Sequence, residues 1–212
     1  YRILAAKKEP VVSARELADI ALRDKRVSCI CYFGGDPSAQ MPHALKVSEL
    51  ALEGAREQGR IMRICWESNG NMNPKLALRA AELSFESGGV VKFDIKSWDE
   101  TLNRALCGVP NKATLENFGA IGERFYHERP EVPVLTASTL LVPGYVDAQE
   151  VEAIAEFIAS VDPSIPYTLL AFYPQYVMDD LPPTPRSWAF ECYRAAKKHL
   201  ENVRIGNVHL LW

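Results

Sequence analysis

The sequence predicts an α/β fold, a partial (β/α)6 TIM-like barrel of parallel strands with outer helices. Short apolar runs alternate with segments of helical periodicity about six times along the chain. The apolar runs are continuous, as in strands that are buried on both faces. Strand after strand ends in a distinctive polar loop, and a barrel gathers such loops over one mouth. An open doubly wound sheet, which would concentrate them at one switch point, is the alternative.

The first half of the chain contains three such units. Ser13 is predicted to cap the first helix, because Glu16 three residues later completes a capping box. Pro74 suits the first turn of the third helix, and Gly88 and Gly89 suit its end. The predicted elements are helices over 13–26, 42–58 and 74–87, and strands over 27–33, 61–66 and 90–95.

The second half continues the alternation. The predicted elements are helices over 98–106, 112–129, 147–160 and 186–200, and strands over 132–142, 166–173 and 203–211. Because the chain starts on a helix, we expect a first strand upstream of residue 1. No low-complexity linker divides the sequence, so residues 1–212 are predicted to form a single, N-terminally truncated domain.

Composition excludes several classes of protein. The net charge is −3 and the pI is about 5.9, without a basic run, which argues against a nucleic-acid surface. No apolar run approaches the roughly 20 residues of a membrane helix, and the N-terminus does not resemble a signal peptide. The cysteines are odd in number and scattered, which favours reduced, buried thiols in a cytoplasmic protein. They are Cys29, Cys31, Cys65, Cys107 and Cys192.

The loop after the first strand carries the clearest chemical signal. Gly34 and Gly35 let a ligand approach the backbone, because no Cβ intervenes. Asp36 beside exposed backbone groups could bind an ammonium while N–H groups bind a carboxylate, and these are the two ends of an amino acid. A tight strand-to-helix turn is the alternative interpretation. No Gly-x-Gly-x-x-Gly or Walker pattern supports a phosphate site.

The next two strand ends are also polar. Asp94 and Lys96 are two residues apart on a strand, so they point the same way, toward a ligand or into a structural ion pair. Glu67, Ser68 and Asn69 could bind a ligand or simply form a turn, since Asn-Gly is a common turn signal. The four histidines lack metal-ligand spacing.

Four motifs at the strand ends, FGGDP, ESNG, FDIK and LLVPGYVD in this order, resemble the radical S-adenosylmethionine (SAM) superfamily. Within it, the branch of pyruvate formate-lyase activating enzymes is the most similar. The resemblance runs from about residue 13 to the end. It implies that the first loop binds the SAM amino group. The residues concerned are Gly34, Gly35, Asp36 and Pro37.

The resemblance also assigns the later loops. It implies that Ser68 and Asn69 help to hold SAM and, in some members, a monovalent cation. Asp94 and Lys96 match a pair near the SAM carboxylate and that cation. Family members often carry an arginine where this chain has Ser138, which puts one SAM contact in doubt. Tyr173 is aligned loosely with a ribose contact.

One family motif is absent from the chain. The resemblance implies a [4Fe–4S] cluster on a Cys-x-x-x-Cys-x-x-Cys loop before the first helix, and no such pattern occurs here. We expect its ligands upstream of residue 1, so this chain alone is predicted to be inactive. The resemblance implies an oxidoreductase that cleaves SAM reductively to a 5′-deoxyadenosyl radical, which abstracts hydrogen from a glycyl radical enzyme or a small molecule.

Two other functions remain open from the sequence. Asp94, Lys96 and Asp99 match the D-x-K-x-x-D pattern of orotidine-phosphate decarboxylase-type barrels, but the late loops lack the phosphate-binding glycines of that group. The second is a non-catalytic relic that binds SAM. Neither interpretation involves a nucleic acid or a membrane partner.

Overall fold

Six parallel strands form one sheet in the part of the chain that the computed structural model describes, residues 11–129, 131–175 and 178–212. Each strand pairs with the next one along the chain, so the order has no reversal. This order confirms the α/β partial barrel and rules out the doubly wound alternative. The strands are β1 (Cys29–Tyr32), β2 (Arg63–Ser68), β3 (Val91–Asp94), β4 (Leu135–Leu141), β5 (Tyr167–Ala171) and β6 (Val203–Gly206).

Helices connect the strands and pack against one face of the sheet, because right-handed crossovers between neighbouring parallel strands all fall on the same side. Short 3₁₀ turns lie at Pro37–Gln40 and Val208–Leu210. The helices are α1 (Ala14–Arg23), α2 (Met41–Glu57), α3 (Pro74–Ser87), α4 (Glu100–Cys107), α5 (Lys112–Phe125), α6 (Ala148–Val161) and α7 (Arg186–Ala196). None of the helices in the described residues is long and apolar enough to cross a bilayer.

The predicted helix ends are confirmed where a local signal defines them. The backbone N–H of Glu16 donates to Ser13 Oγ at 3.2 Å, and that of Ser13 donates to the Glu16 carboxylate at 2.9 Å. Gly88 ends α3 with φ of 77°, a left-handed conformation that favours glycine. The capping box therefore fixes the start of α1 and Gly88 fixes the end of α3, whereas the first helix ends at Arg23 instead of residue 26.

Four predicted boundaries in the second half are wrong by three residues or more. The helix predicted to reach residue 129 ends at Phe125, the helix predicted to reach 200 ends at Ala196, and the strand predicted from 132 begins at Leu135. The last strand stops at Gly206, because Asn207 takes a left-handed φ of 53° that breaks the extended backbone. The apolar residues beyond it form a 3₁₀ turn instead.

The two faces of the sheet differ in chemistry. On the outer face, Trp66 donates its indole N–H to the carbonyl of Ala80 in α3, and Tyr32 donates to the carbonyl of Ala44 in α2. Alternate residues therefore point away from the helices, onto what we call the inner face. The register between neighbouring strands places the residues of the inner face side by side across the sheet. They are Cys29, Cys31, Arg63, Cys65, Glu67, Lys92, Asp94, Thr136, Ser138, Leu140, Thr168, Leu170 and Arg204.

The prediction of buried cysteines is wrong for most of them. All five thiols are free, but of these residues Cys192 alone is buried, whereas Cys29 and Cys31 are exposed. Both lie on the inner face of β1, which the helices do not cover. The sulfur of Cys29 lies 3.5 Å from that of Cys65. Although the residue as a whole is exposed, partial desolvation of its sulfur and the neighbouring Cys65 thiol raise the pKa of Cys29 to about 12, so it is a poor nucleophile near neutral pH.

Candidate functional site

A cavity of about 400 Å³ opens at the carboxyl ends of β1, β2 and β3. Its walls come from the two loops that follow β1 and β2 and from the inner face of β3. Seven of the residues predicted from sequence therefore lie together, although they are up to about sixty positions apart along the chain. The lining residues are Phe33, Gly34, Gly35, Asp36, Glu67, Ser68, Asn69, Lys92, Asp94 and Lys96.

The loop after β1 leaves backbone groups open to this cavity. Gly34 has φ of 85°, a left-handed conformation that side chains disfavour, so glycine is required there. Asp36 caps the 3₁₀ turn that follows, accepting the Ser38 N–H at 2.9 Å. Pro37 starts that turn and is buried, which makes it a supporting residue rather than a cavity wall.

Asp36 also joins the first loop to the second. Its carboxylate accepts the Ser68 hydroxyl at 3.1 Å and the Asn69 backbone N–H at 2.6 Å. Together with the Ser38 N–H, these donors occupy both carboxylate oxygens. Asp36 therefore acts as a latch between loops, and the backbone at Gly34 and Gly35 remains available to a ligand.

The loop after β2 is also held from behind. The Thr114 hydroxyl donates to the Asn69 carbonyl at 2.7 Å, and the Asn117 amide donates to the Gly70 carbonyl at 2.8 Å. Gly70 has φ of 72°, and a Cβ there would lie 2.1 Å from the ring of Phe93. Such contacts fix the position of the loop before any ligand arrives, which reduces the entropy lost on binding.

Two ion pairs line the wall that β2 and β3 form. Lys96 pairs with one oxygen of Asp94, and the Ser138 hydroxyl donates to the other at 3.3 Å. Lys92 donates to the Glu67 carboxylate at 3.2 Å. The Asp94 and Lys96 side chains are therefore both an ion pair and part of the cavity wall, so the two alternatives from the sequence are compatible.

Sequence reasoning left Lys92 and Glu67 out of the predicted site. One signal could have found Lys92, because Lys92, Asp94 and Lys96 recur with the two-residue period of a strand and share its inner face. Glu67 directly precedes Ser68 at the polar end of β2, where the sequence leaves a ligand contact and a simple turn both open. The structure places both in the cavity wall.

Besides Pro37, two predicted residues lie apart from the cavity formed by the described residues. Ser138 is buried behind Asp94 and reaches the site through that carboxylate. Tyr173 follows β5 and is 51% exposed. Asp99 is turned away as well, because it caps α4 by accepting the Leu102 N–H at 2.7 Å. This placement argues against the decarboxylase alternative, in which Asp99 would face the substrate.

A larger groove, of about 1050 Å³, lies between α1 and the end of α2, at the amino ends of the strands. Arg60 in its wall donates to the backbone carbonyls of Leu22, Asp24 and Val27. These bonds connect the end of α1 to the start of β1, which is a structural task. None of the predicted site residues lines this groove.

The described residues do not form a site for an iron–sulfur cluster. Across 11–129, 131–175 and 178–212, no three His, Cys, Asp or Glu side chains are arranged to hold a metal ion. Cys29, Cys31 and Cys65 lie on β1 and β2, and partial burial of the sulfur raises the pKa of the Cys31 thiol as it does that of Cys29. The cavity does fit a zwitterion, since cationic and anionic side chains and open backbone groups share its wall.

The chain is similar in sequence to proteins of one family. The family model described as the Radical SAM superfamily matches residues 3–158. The isethionate sulfite-lyase activating enzyme of Desulfovibrio desulfuricans is 33% identical over 142 residues, covering 66% of this chain and 40% of that protein. Its counterpart from Oleidesulfovibrio alaskensis is 31% identical over 142 residues, with the same coverage. The chain thus spans about 40% of the length of these curated relatives.

Solved structures show the same fold. A domain of pyruvate-formate lyase-activating enzyme from Bacteroides vulgatus matches with a TM-score of 0.63 and 20% identity, over 84% of this chain and 98% of that one. Streptococcus suis SuiB bound to S-adenosylmethionine matches with a TM-score of 0.66 and 13% identity, over 95% of this chain and 45% of that one. Since the family model covers most of the sequence, the chain belongs to the radical SAM superfamily.

Proposed function

We propose that this chain is the SAM-binding core of a radical SAM enzyme, and that the cavity at the ends of β1, β2 and β3 holds the methionyl end of SAM. One observation carries the proposal. Three loop and strand segments, which the resemblance assigns together to SAM, converge on one cavity of about 400 Å³ with a prearranged wall. Ligand sites commonly lie at this end of parallel α/β sheets.

The charges of the wall suit the two ends of an amino acid. The open backbone at Gly34 and Gly35, beside the negative charge of Asp36, suits the SAM ammonium group. The Lys96 ammonium pairs with Asp94 through one N–H and has two further donors for the SAM carboxylate. Holding both ends fixes the direction in which the rest of SAM extends from the cavity.

The superfamily implies a [4Fe–4S] cluster, and we propose that its ligands lie outside the residues that the structure describes. In that superfamily the cluster supplies the electron that cleaves SAM to a 5′-deoxyadenosyl radical. The task of this chain is then to hold SAM in one orientation. On this proposal, residues 11–212 alone bind SAM without cleaving it.

We further propose that the whole protein activates a partner enzyme by abstracting hydrogen from one of its glycines. The support is that both curated relatives are activating enzymes by name and exceed 30% identity over 142 residues. A small-molecule substrate is the alternative for the same radical. The shared fold alone does not distinguish them, because one fold hosts many reactions.

The test of SAM chemistry uses the full-length protein, reconstituted anaerobically with iron and sulfide, reduced with dithionite and supplied with SAM. We expect 5′-deoxyadenosine by chromatography, and about tenfold less of it from Lys96→Ala when SAM is kept below its dissociation constant. SAM binding without a cluster or cleavage would instead indicate a non-catalytic relic. Failure of the wild-type protein to bind SAM at all would refute the proposed site.

The test of the partner adds isethionate sulfite-lyase to the same reaction as the first candidate. We expect a glycyl radical signal in the electron paramagnetic resonance spectrum that depends on SAM and on the reductant. If 5′-deoxyadenosine forms but the added enzyme carries no radical, isethionate sulfite-lyase is not the partner. If a small molecule acquires or loses hydrogen in that reaction, the substrate is that small molecule and not a partner enzyme.

A further inference from the structure

Three carboxylates line the cavity, those of Asp36, Glu67 and Asp94. Oxygen ligands gathered in this way commonly bind a cation, and the resemblance to the superfamily implies a monovalent cation near this loop in some members. In this chain each of the three already accepts from a protein donor. Backbone N–H groups donate to the Asp36 carboxylate. Lys92 pairs with Glu67, and Lys96 pairs with Asp94.

Lys92 is the unexpected member of this set. It lies on the inner face of β3, directly in register with Glu67 on β2, and its Nζ is 3.2 Å from a Glu67 oxygen. Its side chain is 29% exposed and that of Glu67 is 43% exposed, so both also face the cavity. Asp94 follows two residues later on the same face. A fixed positive charge therefore already occupies this part of the wall.

We propose that the Lys92 ammonium takes the place of a monovalent cation in this cavity, so that SAM binds here without Na⁺ or K⁺. This inference rests on the proposed function, in which SAM is the ligand. Three carboxylates and two lysines give the lining a formal charge of −1. SAM, with an ammonium, a sulfonium and a carboxylate, carries +1. A further cation beside Lys92 would be repelled by the ammonium.

Replacing Lys92 with methionine makes the strongest test, because it removes the charge and keeps a chain of similar length. The formal charge of the lining becomes −2, and Glu67 is left without its donor. The unpaired Glu67 carboxylate then repels the SAM carboxylate, so we expect SAM affinity to fall about tenfold and Na⁺ or K⁺ to restore it. Lys92→Arg keeps the charge and should remain independent of the cation.

The measurement is calorimetric titration of SAM into the full-length protein, with tetramethylammonium, sodium or potassium chloride at one ionic strength. The wild-type affinity should agree within about twofold in the three salts, since screening is then equal. Lys75→Met, at an exposed position on α3, is the matched control and should behave as wild type. Adding Glu67→Gln to Lys92→Met should abolish the recovery by cations.

Sodium NMR in the absence of SAM tests the same inference without relying on the ligand. Lys92→Met should broaden the sodium resonance and the wild-type protein should not, while circular dichroism melts confirm that both are folded. Specific sodium binding by the wild type, or a Lys92→Met variant that ignores cations in both assays, would overturn the proposal. Absence of SAM binding in every salt would instead refute the proposed function, and the sodium measurement would still decide the role of Lys92.

Discussion

The two halves of the inner face differ in charge. The half formed by β1, β2 and β3 carries four charged side chains at the cavity, two lysines and two acids, and a third acid in the adjoining loop. The half formed by β4, β5 and β6 carries serine, threonine and leucine, with Arg204 at the edge donating to Thr168 at 2.9 Å. One sheet therefore presents a charged surface beside a nearly neutral one.

This difference indicates a division of tasks. The charged half matches a ligand end with an ammonium and a carboxylate, and its loops are held by hydrogen bonds such as those of Asp36 and Asn117. The neutral half, with Leu140 and Leu170 partly exposed between polar neighbours, suits an uncharged part of SAM or the substrate. Substitutions that disturb SAM binding should therefore concentrate in the first half.

The largest difference between the two halves is expected in the free energy of unfolding, after one glycine-to-alanine substitution in each half. Gly70→Ala places a Cβ 2.1 Å from the buried Phe93 ring at a left-handed φ, and should lower the free energy of unfolding by roughly 2–4 kcal/mol. Gly206→Ala is the matched change on β6. Its Cβ would lie 2.8 Å from a flexible methyl of Leu170, so the free energy of unfolding should change by about 1 kcal/mol or less.

Urea unfolding of both variants measures this difference. The comparison requires that the free energy of unfolding falls with urea concentration at the same slope in both. Gly70→Ala should also weaken SAM binding, because the loop after β2 moves with it, whereas Gly206→Ala should not. Equal destabilisation by the two changes would show that the charged half is no more rigidly packed than the neutral one.

Asp36→Ala should have the next largest effect, which is on SAM affinity. It removes the acceptor for Ser68 and for the Asn69 N–H, which releases the two loops from each other. We expect SAM affinity to fall roughly a hundredfold, since two buried or half-buried donors lose their partner. Asp147→Ala is the matched control, because Asp147 also accepts two backbone N–H groups but caps α6 away from the cavity.

Calorimetric titration with SAM measures both variants. Asp147→Ala should reduce stability by about 1 kcal/mol, as cap losses do, and leave SAM affinity within about twofold. Unchanged affinity in Asp36→Ala would show that the latch between the loops is unnecessary for binding.

Local patterns explain which parts of the charged half could be predicted from the sequence. Gly34 and Gly35 directly follow an apolar run, and Asp94 and Lys96 share a strand face by simple alternation. The pairing of Lys92 with Glu67 could not be predicted, because it depends on the register between β2 and β3. That register is set by the packing of outer-face side chains on the helices.

The exposure of the cysteines was unpredictable for a related reason. An apolar run such as that containing Cys29 and Cys31 is expected to be covered on both faces. Which face remains open depends on the position of the strand in the sheet, and β1 pairs with β2 along one edge in the described residues. Position at an edge is a property of the assembled sheet, and no short stretch of sequence encodes it.

A third prediction compares Lys96 with its neighbour across the boundary between the halves. Lys96→Met removes a cavity donor and leaves Asp94 with the Ser138 hydroxyl alone, so SAM affinity should fall about tenfold. Ser138→Ala removes one 3.3 Å bond to the same carboxylate and should weaken binding less than about threefold. A larger effect at Ser138 than at Lys96 would place the anionic end of the ligand on β4 instead of β3.

The smallest effect is expected at Tyr173, which the resemblance aligns loosely with a ribose contact. The residue follows β5 on the neutral side, is 51% exposed and stands apart from the cavity of the described residues. Tyr173→Phe keeps the ring and removes one hydroxyl, so SAM affinity should change by less than about twofold if the hydroxyl remains in water. Titration with SAM and with methionine sharpens the comparison, since methionine reports the charged half alone. A loss of affinity for SAM but not for methionine would show that Tyr173 turns inward and that the neutral half binds the nucleoside directly.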